Sequence, residues 1–289
     1  MTIRGRERIA DWIEIALLVR GARPIGLDPL NGFFENHHGL EPQRVSLAVR
    51  EMARRARILG DRYPFKIHDE YAVQSLGFAP KSVYATIALM APGNPVRRYL
   101  NAAPDEVMAV IFENVVVDAT MGLWGQQGRA LRFGWPSDVG RPPEFDLAIQ
   151  WLATNVGVDL GKGYRQPRRK DGGVDVVAWR PFPDGRTGFP IILVQCTLQE
   201  NLLAKGMDVD TRLWGSWLAI DVDPMTALAT PAALSSGPVW DELALKYMVL
   251  DRIRIVGLAS AETQDEVARG WVRQTVDELR DHMGEIGEL

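Results

Sequence analysis

The chain has 289 residues, of which 46% are apolar, a single cysteine and a formal net charge of -4. That length buries a substantial core as one large domain or two ordinary ones, and one cysteine excludes a disulfide framework. The weak negative charge lacks the basic excess usual in nucleic-acid binders, so any such surface has to be a local stripe.

At the N-terminus, the apolar part of MTIRGRERIADWIEIALLVRG is interrupted by Asp11 and Glu14, which fits neither a signal peptide nor a membrane span. A soluble, cytoplasmic protein is expected. Residues 5–20 and 41–60 have helical spacing, and 70–91 reads as a further helical block broken at Pro80. The pair His37-His38 lacks further ligands at zinc spacing. The first hundred residues therefore read as an α-helical subdomain, and the Pro/Gly-rich APGNPVRR separates it from a second domain over 101–289.

PDEVMAVIFENVVVDATMGLWG has Pro104 and Asp105 as start signals, Gly122 or Gly125 as stops, and apolar residues on nearly every face. This pattern predicts a helix packed on both sides. Residues 126–143 look loop-like, and EFDLAIQWLATNVGVDLG predicts an amphipathic helix ending near Gly157. GKGY at 161–164 lacks the phosphate-loop pattern. The basic YRQPRRKDGG follows, where Arg165, Arg168, Arg169 and Lys170 could grip a phosphate backbone or form a solvated loop.

VDVVAW and IILVQCT read as strands, and the Asp-Gly pair in RPFPDGRTGFP predicts an antiparallel hairpin between them. Cys196 is a small core side chain in the second strand. LQENLLAKG looks like a short helix stopped by Gly206, and WGSWLAI like a third strand. LDRIRIVG, read as a strand, places Arg252 and Arg254 on one face, toward DNA or toward an acid. ETQDEVARGWVRQTVDELRDHM is a C-terminal amphipathic helix, while Trp12, Trp151, Trp214 and Trp217 are core candidates.

Asp175 and Gln195 stand inside the two apolar strands of the hairpin. Burying such groups costs several kcal/mol, roughly, unless partners exist. They could lie at strand ends or on a solvent face; they could also converge on a hard cation, which takes one or two carboxylates plus water and phosphate oxygens.

GVDVVAW, the hairpin and ILVQC together resemble the core of the PD-(D/E)XK nuclease superfamily, in particular its Mrr-like restriction endonuclease branch. The resemblance implies an α/β fold: a restriction-endonuclease-like central mixed sheet flanked by helices, preceded here by the helical subdomain. It implies that Asp175 binds metal and that Gln195 fills the second acidic position, 20 residues further on. The strand lysine of the family falls at Thr197, and Lys205, in the next segment, is the candidate replacement. The acid expected on the preceding helix corresponds to Glu113, with Asp118 as its rival and Asp171 as the rival of Asp175.

The implied activity is Mg²⁺-dependent endonucleolytic hydrolysis of DNA, with Mn²⁺ as an alternative ion, in restriction or antiviral defence. Glu113, Asp175 and Gln195 are then the metal ligands, and Lys205 orients water or stabilises developing charge. DNA is the implied partner; a defence-system protein or a second copy of the chain are others. Thr197 keeps an alternative in view, a catalytically inactive scaffold of this kind that binds nucleic acid or a partner subunit.

Overall fold

A computed structural model describes residues 5–69, 72–77, 79–94, 100, 103–163, 167, 171–203 and 209–282. Within them the protein is α/β, with ten α-helices, a mixed five-stranded sheet and a small antiparallel sheet.

The first part contains α1 (Arg6–Arg20), α2 (Leu27–His38), α3 (Pro42–Leu59) and α4 (Val83–Met90). It is not purely helical. Strands β1 (Ile25–Gly26), β2 (Phe65–His68) and β3 (Ala72–Ser75) form the small sheet in the order β1-β3-β2. The block expected to be helical over 70–91 thus contains strand β3 and becomes helical only at Val83. There Ser82 caps α4 by accepting the Ala85 N–H, which satisfies a donor the first turn would otherwise leave open.

Helix α5 (Glu106–Trp124) starts where Asp105 accepts the Met108 N–H and stops at Gly125, as the sequence predicts. By length and composition it would pass for a membrane span, yet Ile111, Phe112, Val115, Val116 and Ala119 lie in the core. Strand β4 (Arg129–Arg132) follows in the stretch read as loop. Helix α6 (Phe145–Val156) ends at Gly157, in the left-handed conformation.

The predicted hairpin is present. β5 (Val176–Trp179) pairs antiparallel with β6 (Ile191–Cys196), with Val176 opposite Val194, around a turn closed by Gly185 N–H to the Phe182 carbonyl. β4 pairs antiparallel on the other side of β5, while β7 (Met225–Ala229) and β8 (Met248–Leu250) run parallel to β6.

Three expectations fail here. WGSWLAI is not a strand: Thr211–Trp217 is helix α7, whose Asp210 cap accepts the Arg212 and Leu213 N–H groups. LDRIRIVG is not a strand either; Asp251 caps helix α9 (Arg252–Leu258). In LQENLLAKG, residues 198–203 are not helical, with a bend at Glu200 and a turn at Leu202 and Leu203, and residues 204–206 lie outside the described residues. Helices α8 (Pro238–Ala244) and α10 (Glu266–His282) complete the chain.

Strand alternation divides the apolar side chains between two faces. Val176, Ala178, Ile192 and Val194 pack with α5 in a core that continues through α1 to α4, α9 and α10. Val177, Trp179, Ile191 and Leu193 pack with α6 and with Trp214 and Trp217 of α7. The first hundred residues and the sheet thus share one contiguous core.

At its centre lies an ionic cluster. Arg55, fully buried, donates to Asp11 at 2.6 Å, to Glu14 at 2.9 Å and to Glu51 at 3.1 Å. Arg252, also fully buried, donates to both Asp11 oxygens and to Glu14, and its Nε to the Pro231 carbonyl. Tyr63 and Tyr84 donate their hydroxyls to Glu14. Burial works against an ionised Asp11, but the Arg252 and Arg55 guanidinia hold its carboxyl below the usual range. Of the two outcomes weighed for Arg252, pairing with an acid is the one observed; Arg254 donates to the Val249 carbonyl and stacks over Trp240.

Candidate active site

The candidate site lies where β5 begins and β6 ends. Asp175 sits one residue before β5 rather than within it. Its backbone is nonetheless tied to both neighbours: its carbonyl accepts the Phe133 and Gly134 N–H groups, and its N–H donates to the Val194 carbonyl, one position out of the Val176–Val194 pairing. The Asp175 carboxylate then takes the place of a ladder carbonyl, accepting the Cys196 N–H at 2.6 Å. A charge-assisted bond of this kind fixes the carboxylate direction.

Glu113 reaches this end of the sheet from α5 and is 8% exposed. Gly134 makes room for it, since a Cβ there would lie 2.6 Å from Glu113 Oε2 and 3.3 Å from Arg132 Nη1. Arg132, the last residue of β4, donates to Glu113 Oε2 at 2.8 Å, to Asp138 through Nε at 2.8 Å, and to the Pro136 carbonyl. Burial pushes the Glu113 carboxyl up to about 8, the Asp175 charge adds to the rise, and Arg132 opposes it without cancelling it.

This shift has a sign in stability. Between its ordinary value of 4.5 and about 8, the folded protein binds the Glu113 proton and the unfolded chain releases it. The group therefore contributes stability below pH 4.5 that is lost as pH rises through 8. Urea denaturation across this window should show a decline that flattens in Glu113→Gln; equal slopes for the two proteins would contradict the coupling.

Gln195 is 2% exposed and precedes Cys196, the residue bound by Asp175. By alternation it shares the face of Ile191 and Leu193. Thr197, where a lysine was expected, closes the strand end: its N–H donates to the Ala229 carbonyl and its hydroxyl accepts the Gln199 N–H. Lys205 lies outside the described residues, as do Arg165, Arg168, Arg169 and Lys170. Asp118 accepts both the N–H and the hydroxyl of Ser260, a structural tie away from Asp175. Asp171 turns the chain by accepting the Gly173 N–H, and its charge acts on both Glu113 and Arg141.

The structure thus brings Glu113 and Asp175 into electrostatic contact, with Gln195 adjoining. Sequence reasoning missed Arg132, Gly134 and Arg141. A buried acid on α5 requires a cationic partner, and that requirement was the available signal for Arg132. Among the described residues no three His, Cys, Asp or Glu side chains form a metal-binding group. Asp175, Gln195 and, once it has lost its proton, Glu113 carry oxygen donors of the kind Mg²⁺ takes, an ion that keeps several waters and shares phosphate oxygens. The contact at Gly134 gives a direct check. Gly134→Ala should displace Glu113 and cost about 1–3 kcal/mol, measured by urea denaturation, and an unchanged midpoint would contradict that fit.

The chain matches no family model, no curated protein and no solved structure.

Proposed function

We propose that the protein is a Mg²⁺-dependent endonuclease that hydrolyses phosphodiester bonds in DNA, of the PD-(D/E)XK kind, acting in restriction or antiviral defence. One observation carries the reading: the Asp175 carboxylate is locked by the Cys196 N–H at the head of a hairpin strand, in electrostatic contact with a buried Glu113. Glu113 is already paired with Arg132, yet burial and the Asp175 charge still raise its carboxyl, and a group so perturbed beside a second acid favours a functional site. The resemblance implies an acid on a helix ahead of the hairpin and a hairpin bearing Asp175 and Gln195 in a mixed sheet; Glu113 stands on α5 and the sheet is mixed.

Bound between these residues, Mg²⁺ would polarise the scissile phosphate and lower the pKa of a coordinated water. The chain's own contribution is positional. Arg132 and the Cys196 N–H fix the directions of the two carboxylates, and Gln195 offers a neutral oxygen that limits the negative charge facing DNA. Lys205 is the candidate to orient water or to meet developing charge.

The test is plasmid cleavage with Mg²⁺ or Mn²⁺. Wild type should nick, whereas Asp175→Ala and Lys205→Ala should not. If neither ion supports cleavage of DNA or RNA, the enzyme reading falls and the inactive scaffold that binds nucleic acid or a partner subunit takes its place.

A further inference from the structure

We infer that Trp135 is a stacking platform for an unpaired base of single-stranded nucleic acid, set beside the Glu113–Asp175 pair. The identity of the ligand rests on the nuclease reading above; the platform rests on the geometry of the loop after β4. Trp135 is the residue after Gly134, whose N–H binds the Asp175 carbonyl and whose α-carbon lies against Glu113. It is also the one exposed tryptophan of nine, at 36% exposure; the other eight are buried or half-buried.

The ring is not left to move freely. Arg141 lies 5.5 Å from the Trp135 ring centroid and 4.4 Å from that of Phe133, which is itself packed on Trp214 at 5.6 Å. The loop between is fastened at several points. Ser137 Oγ accepts the Val139 and Arg141 N–H groups, Arg132 binds Asp138 and the Pro136 carbonyl, and Arg141 Nη1 donates to the Pro142 carbonyl.

An exposed aromatic ring on a fastened loop presents area at little ordering cost, which is the requirement for base stacking. Arg132, paired with Glu113 and Asp138, and Arg141, near the Asp171 charge, are buried beneath the loop and offset part of the negative charge that would repel a phosphate backbone. In a paired duplex the base faces are covered by their neighbours. The ring therefore selects single strands or locally opened ones.

Anisotropy of a labelled deoxythymidine oligomer of about twenty nucleotides, against a duplex of the same length, tests this in EDTA so that nothing is cut. The wild type should prefer the single strand. Trp135→Ala should weaken its binding about tenfold, equivalent to about 1.4 kcal/mol, and Trp135→Phe should restore most of it. A Trp135→Ala protein that folds normally and binds the oligomer like wild type overturns the inference, as does a wild type that binds only duplex or neither. If plasmid is cut but Trp135 does not matter, this inference alone fails; if nothing is cut but Trp135-dependent binding persists, the nuclease reading alone fails.

Discussion

Asp175→Asn is expected to leave the fold intact and to lower Mg²⁺-dependent cleavage by about 10²- to 10³-fold. A metal ion supplies several kcal/mol of charge stabilisation, roughly, and each 1.36 kcal/mol lost is about tenfold in rate. Asparagine keeps an oxygen that can accept the Cys196 N–H, so the hairpin end should hold. What disappears is a formal charge. The same loss removes the repulsion that Asp175 exerts on Glu113, so the Glu113 carboxyl should titrate lower in the variant. Cleavage within a few-fold of wild type would remove Asp175 from the site, while an unfolded variant would show that its bond to Cys196 is structural first.

The second large effect concerns stability. Arg55→Met should cost about 3–5 kcal/mol, because breaking a buried ion pair leaves charge without compensation. Glu14 would keep the hydroxyls of Tyr63 and Tyr84 and one bond from Arg252, and Asp11 would depend on Arg252 alone. Arg54 is the control, since it binds Glu51 in bidentate fashion on a side chain that is 40% exposed. Arg54→Met should cost less than about 1 kcal/mol. Urea denaturation separates the two, and equal midpoints would show that the buried cluster contributes little beyond its packing volume.

Where local chemistry and tertiary environment agree, the elements could be read in advance. The Asp105 cap and Gly125 stop bound α5, Gly157 ends α6, and the Asp-Gly turn joins β5 to β6. Where long-range pairing inverts the usual polarity, they could not. RALR looks like loop because Arg132 is charged, yet Glu113 makes it a buried strand residue. LDRIRIVG alternates like a strand, but Arg252 is buried by acids more than 230 residues away, and the Asp251 cap commits the segment to helix. WGSWLAI looks like a strand in isolation, and the signal against it is Asp210, which caps α7. The candidate site follows the same division. Asp175 stands out by its cost inside an apolar strand and Glu113 only through the resemblance, while the carboxylate's substitution for a ladder carbonyl and the space left by Gly134 exist only once three strands and a helix have met.

The ionic cluster has a consequence for how the protein is made. Asp11 and Arg252 are 241 residues apart. At synthesis rates of about 5–20 residues per second, Asp11 leaves the ribosome's catalytic centre roughly ten to fifty seconds before its partner is made. During that interval α1 carries two acids whose full complement of cations does not yet exist. The N-terminal helices therefore cannot settle into their final packing until the sheet and the segment after β8 have been synthesised, so that folding waits on a late segment rather than growing outward from α1.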